Sequence, residues 1–224
     1  MVLVIKGWHQ YFSAHGKEDT LATYNLALEA IELGPDLADA YMLASFIELN
    51  NPYKIVSSDQ AQANQLAESR ARKAAELDTT SPHNYGAIGN TLSGVGKVKE
   101  SLGFYKKALE ITPHAEAWIK YNYMNALVSI GQYDEGKQIA MEISITDQFV
   151  NDARARALAV LAYIAHKEGE KKNAAAFIES LNSMALNTDV GSKLESIMWG
   201  FWNVKSNKEF IEDFKEAMIQ FGIS

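Results

Sequence analysis

The sequence predicts an all-α chain of repeated helix pairs, and four observations carry that prediction. Apolar residues recur at three- and four-residue spacing over nearly the whole length, which is the period of amphipathic helices. Alanine, leucine, glutamate and lysine, strong helix formers, dominate those segments. Only four prolines occur in 224 residues, and no Asn-Gly or Asp-Gly pair marks a hairpin between alternating runs. The pattern also repeats along the chain, as it does when stacked units bury their faces against one another.

In chain order, Ile5, Trp8 and Phe12 share the face of a first helix, and Leu26, Ala27, Ala30 and Leu33 that of its partner, which closes at Pro35. Tyr41, Ala44 and Ser45 open the next pair, whose second helix carries Ala67, Ala71, Ala74 and Leu77. The excess length of that unit lies in "NNPYKIVSSD", Asn50 to Asp59. Ser81-Pro82 then reads as an N-cap followed by proline at the first helical position. Further on, Gly131 and Tyr133 mark a turn before Gly136, Ala140 and Ile143. Leu158, Leu161 and Ala162 precede Gly169, followed by Ala174, Ile178 and Leu181. Thr188-Asp189 and Ser206-Asn207 read as N-caps of a terminal pair. Its first helix is expected to carry Leu194, Ile197, Met198, Phe201 and Trp202, and its second Phe210, Phe214, Met218 and Phe221.

The run "IGNTLSGVGK", Ile88 to Lys97, invites a phosphate-loop reading. A phosphate loop needs glycine, four residues, then Gly-Lys-Ser/Thr. Thr91 stands at the first glycine position and Val98 follows Lys97, so the pattern fails at both ends. The surrounding residues explain the glycines better. From Pro82 to Ala115 the chain presents Tyr85, Ile88, Gly89, Leu92, Gly96, Ser101, Tyr105, Ala108, Leu109 and Pro113. This order resembles the 34-residue tetratricopeptide (TPR) repeat. The resemblance implies a TPR-type α-α superhelix, a right-handed solenoid of antiparallel helix pairs, over residues 1–188, in about five repeats (1–37, 38–81, 82–115, 116–151 and 152–188). Residues 189–224 would form a capping helix pair. It also implies that Gly89, Ser101 and Ala108 allow close helix approach and that Gly96 makes the turn between helices. "ALEAIELGPDLADAYMLAS" and "RKAAELDTTSPHNYGAIG" are similar, more narrowly, to the TPR region found with bacterial class III nucleotide cyclases and membrane-linked transcription regulators.

Composition narrows the function. Net charge is −7 and the pI about 5.3, contrary to what counterion-release binding of nucleic acid requires, so no nucleic-acid partner is expected. The absence of cysteine excludes thiol catalysis and thiolate metal sites. The opening apolar run ends at Lys6-Gly7, too short for a membrane span, so a cytoplasmic protein without membrane insertion is expected. The five histidines, His9, His15, His83, His114 and His166, are scattered. His9 is expected to pack within the first helix pair. No His-Glu-x-x-His helix, Asp-x-Asp loop or Gly-x-Ser-x-Gly elbow is present. A non-catalytic chain with no cofactor and no metal is therefore expected.

The resemblance also implies where a partner binds. Helix positions two, five, nine and twelve of each repeat would line a concave groove. In order, these are Asp39, Met42, Phe46 and Leu49; His83, Gly86, Asn90 and Ser93; Trp118, Tyr121, Asn125 and Val128; and Arg156, Ala159, Tyr163 and His166. Aromatic rings and amides suit an extended peptide, offering flat apolar area and donors for its backbone. Asn90, Asn122 and Arg156 also match three positions of the carboxylate clamp of TPR cochaperones, but Gly86 and Val160 stand where the clamp has cations. The expected partner-binding residues are thus His83, Asn90, Trp118, Tyr121, Asn122, Asn125, Arg156, Tyr163 and His166. Lys120 occupies a position where an aromatic residue is usual, which makes Trp118 and Tyr121 alternatively packing residues. The function expected is a protein-interaction module binding a peptide or partner domain. The alternative is a regulatory domain of a cyclase or transcription regulator, dimerising through the aromatic terminal pair or binding a ligand.

Overall fold

The computed structural model describes residues 2–13, 16–112, 117–146, 151–184 and 192–223. Twelve α-helices and two 3₁₀ turns account for the regular structure among them, with no strand. Pro113, His15, His114 and the Thr188-Asp189 cap lie outside the described residues. By its contacts the chain divides into two compact units, residues 1–114 and 115–224.

The first unit holds α1 (Val2–Ser13), α2 (Lys17–Leu33), α3 (Ala38–Asn50), α4 (Gln60–Leu77), α5 (Pro82–Gly94) and α6 (Val98–Ile111). They pack in sequential pairs, α1 on α2, α3 on α4 and α5 on α6. Ser81 caps α5 by accepting from the Asn84 N–H, and Gly96 turns the chain at φ +90°. Gly89 is a packing glycine: a Cβ there would stand 3.0 Å from the Tyr105 ring. The expected excess at Asn50–Asp59 becomes a 3₁₀ turn, Pro52–Lys54, organised by one side chain. Asn51 donates to Ser57 O at 2.8 Å and accepts from the Val56 N–H at 3.1 Å. Glu48 is fully buried between α2 and α4, accepting from Tyr24 at 2.8 Å and pairing with Arg70 at 3.0 Å. His9 is exposed rather than packed; Val4, Gly7 and half-buried Trp8 form the inward side of α1, leaving His9 outside.

The second unit holds α7 (Ala117–Ser129), α8 (Tyr133–Ile145), α9 (Asn151–Lys167), α10 (Lys171–Ser183), α11 (Lys193–Trp199) and α12 (Lys208–Gln220). Here α7 packs on α8, α8 on α9, and α9 on α10. Gly131 and Gly169, at φ +77° and +76°, make the turns that the sequence assigns them. Lys120 is buried and forms an ion pair with Glu142 of α8, which accommodates a cation at a core position.

The terminal pair differs from expectation. Phe201 and Trp202 do not continue the helix of Ile197: α11 stops at Trp199, and a 3₁₀ turn, Trp202–Val204, follows. This short helix and α12 both pack on α9, while the 3₁₀ turn packs on α7. Ile197, Phe201, Val204, Phe210, Phe214 and Met218 enter one apolar cluster with Met124, Val160 and Tyr163.

Candidate functional site

The face of α7 and α9 that carries the predicted groove residues Tyr121, Asn125, Arg156 and Tyr163 is occupied by the chain's own segment 192–223. The contacts are directed largely at main chain. Asn125 Nδ2 donates to Gly200 O at 3.0 Å and to Asn203 Oδ1 at 3.1 Å. Arg156 Nε donates to Ser196 O at 3.2 Å. In the other direction, Asn203 Nδ2 reaches Asn122 O at 3.0 Å and Asn207 Nδ2 reaches Ser129 O at 2.6 Å. Asn207 also caps α12, accepting from the Phe210 N–H.

Aromatic rings frame these bonds. The Arg156 guanidinium stands 5.8 Å from the Tyr121 ring centroid and 5.7 Å from that of Trp199. Such a planar cation stacks well between rings while its N–H groups remain directed in the ring plane. Tyr163, almost fully buried, donates to Asp213 Oδ2 at 2.5 Å, and Lys167 Nζ reaches the same oxygen at 2.8 Å. Burial pushes the Tyr163 hydroxyl well above its usual range, and the Asp213 carboxylate adds to the effect. For Asp213, burial opposes ionisation, but the bonds from Lys167 and Tyr163 outweigh it and hold the carboxyl below its usual range. Burial likewise raises the Tyr121 hydroxyl, with Arg156 opposing.

The remaining predicted residues are placed differently. His83 is half-buried and Asn90 fully buried, both in α5 of the first unit. Trp118 is half-buried near the start of α7. His166 is exposed, with its ring edge-on to Phe221 at 5.5 Å. It borders an open groove of about 710 Å³ between α10 and the end of α12, lined by Ala174, Ala175, Ile178 and Asn182. Among the described residues no group of three or more histidine, aspartate or glutamate side chains is placed to hold a metal ion. Sequence reasoning missed Trp199, Gly200 and Asn203. Gly200 was the available signal, a glycine set among the bulky residues of "MWGFW".

No family model and no curated protein matches the chain. Solved structures do. PilF of Pseudomonas aeruginosa superimposes with TM-score 0.66 at 14% identity, over 98% of this chain and 90% of that one. PilW, described as a widely conserved type IV pilus biogenesis factor, gives 0.65 at 16% identity, over 100% and 94%. YrrB, described as a TPR protein with an unusual peptide-binding site, gives 0.56 at 18% identity, over 87% and 91%.

The fold is that of a TPR array. At these identities the likeness extends to the fold alone, and the TPR helix pairs supply the scaffold on which Tyr121, Asn125, Arg156 and Tyr163 share a face. No described helix is long and apolar enough to cross a membrane.

Proposed function

We propose that this chain is a non-catalytic protein-interaction module, its five helix pairs acting as repeats and the α7/α9 face binding polypeptide. One observation carries the reading: that face already holds a stretch of polypeptide through side-chain bonds to main-chain carbonyls, from Asn125 to Gly200 and from Arg156 to Ser196. Side-chain donors aimed at backbone recognise a peptide independently of most of its sequence, while adjoining apolar slots select its side chains. YrrB, a TPR protein with a peptide-binding site, lends the fold-level analogy. His83 and Asn90 on α5 are not part of this reading, Asn90 being fully buried.

The test is selection of peptides from a random phage-displayed library on the immobilised full chain, followed by hydrogen-exchange footprinting of the best binder. Protection is expected to change around Tyr121, Asn125 and Arg156. A footprint elsewhere, or no selectable binder at any affinity, rejects the proposal. The regulatory alternative, in which two copies associate, is favoured by exposed Trp199 and Ile219, at 70% and 53%. Sedimentation over a concentration series decides it, and a strictly monomeric chain rejects it.

A further inference from the structure

Segment 192–204 and α12 both bury apolar side chains, Ile197, Phe201 and Val204 in the former, but they differ in secondary structure and in their ion pairing. The latter is fixed by Phe210, Phe214 and Met218, all buried, and by Asp213 bonding Tyr163 and Lys167. The preceding segment is a seven-residue helix with a capping box at Ser192, then a 3₁₀ turn. Helices this short do not persist alone in water, where about 12–15 residues are needed. Lifted from α7 and α9, the segment would therefore be unstructured chain.

Its docking is also incomplete. Asn125 Oδ1 and Tyr121 Oη are buried there without a hydrogen-bond partner, and buried polar groups in native proteins are ordinarily satisfied. The contact meanwhile depends on an absent side chain. A Cβ at Gly200 would fall well inside the van der Waals radii of Tyr121 Oη and Arg156 Cδ. The next residue, Phe201, fills a slot whose other walls stay with α12, its ring 4.5 Å from Phe214 and 5.6 Å from Phe210. Removing segment 192–204 leaves an aromatic slot, two main-chain-directed donors and two unsatisfied polar atoms in one place.

We infer that segment 192–204 is an exchangeable internal ligand of the α7/α9 face, and that an external partner binds there by displacing it. This rests on the peptide-binding reading above and specifies its partner. The partner is a polypeptide that presents two main-chain carbonyls one helical turn apart, glycine at the second, and an aromatic residue directly after that glycine. The chain's own Ser196, Gly200 and Phe201 are the template. The interaction is self-inhibited: the free chain binds weakly because its own tethered segment holds the face at high effective concentration.

Hydrogen exchange on the wild-type full chain tests the release step. Amides of residues 196–204 are expected to exchange at least ~10-fold faster than those of α7, α9 and α12, since opening is local. Equal protection throughout overturns the inference, because the segment then opens only with the whole unit. A fluorescent peptide of residues 192–205 tests exchange, read by anisotropy against the wild-type chain and full-length Gly200→Val. The substitution loosens the tethered copy, and the peptide is expected to bind the variant at least ~10-fold more tightly. Adding Asn125→Ala should remove that gain. Should Gly200→Val lose helicity, Phe201→Ala, which empties the slot without a clash, takes its place under the same expectation. Fast local exchange without peptide binding to either variant would instead overturn the peptide-binding reading itself.

Discussion

Asn125 on α7 and Gly200 after α11 are joined by a 3.0 Å hydrogen bond across 75 positions of sequence. This bond and that from Arg156 to Ser196 O attach the terminal segment to the face proposed to bind a partner. The face is thus a folding surface and, in the proposal above, a recognition surface as well, and substitutions on it should separate the two roles.

Asn125→Ala removes the donor shared by Gly200 O and Asn203 Oδ1 and leaves both acceptors buried. A loss of about 1–3 kcal/mol is expected, the cost of stranding buried polar groups. Urea denaturation followed by circular dichroism measures it, and a change below about 0.5 kcal/mol would show that these bonds do not hold the segment.

Asp213 ties α12 to α9 and should make that attachment sensitive to acid. Its carboxyl sits below the usual range in the folded chain. The stabilisation it gives is therefore fully present above the unfolded value of about 4 and is lost as pH falls through the lower folded value. Stability should drop between pH 5 and pH 3 in the wild type, and drop less in Asp213→Asn. Parallel urea titrations at those two pH values provide the comparison, and identical slopes for the two proteins would contradict the assignment.

Two glycines of the best-defined helix pair should respond in opposite directions to alanine. At Gly89 the new Cβ meets the Tyr105 ring at 3.0 Å, and such overpacking costs about 1–3 kcal/mol. At Gly103, exposed within α6, a Cβ meets nothing within 4 Å. The entropy saved there should stabilise the chain by about 0.5–1 kcal/mol. Thermal unfolding of both variants suffices, and a stabilising Gly89→Ala would refute the packing role.

Arg70→Ala should be among the most damaging substitutions in the first unit. It leaves the Glu48 carboxylate, already raised above its usual range by burial, without its cation. Breaking a buried pair in this way costs about 3–5 kcal/mol. A raised folded pKa makes stability fall as pH rises from the unfolded value of about 4.3 toward the folded one. Arg70→Ala should widen that window, so the variant's deficit should be larger at pH 7 than at pH 4.5. A deficit independent of pH would mean that Glu48 is neutral throughout.

Much of the fold was legible because it is local. The helices follow from a three- to four-residue period, Ser81 and Asn207 from the needs of unpaired N–H groups, and Gly96, Gly131 and Gly169 from turns at positive φ. Gly89 was readable as well, since its partner Tyr105 lies only one helix away. Of the nine residues expected to bind a partner, four fall together. Tyr121, Asn125, Arg156 and Tyr163 do share one face, because helical spacing fixes which residues of α7 and α9 point the same way.

What occupies that face was decided by tertiary structure. Periodicity alone runs Ile197, Phe201 and Trp202 along a single helix. In the folded chain the helix ends at Trp199, and Gly200 closes against Tyr121 and Arg156. A break of this kind is fixed by contacts with residues tens of positions away, whose energies no local pattern contains. The sequence by itself determined helices, turns and the residues of one face. Long-range packing determined that residues 192–223 lie on that face, because there their apolar side chains and carbonyls find partners together.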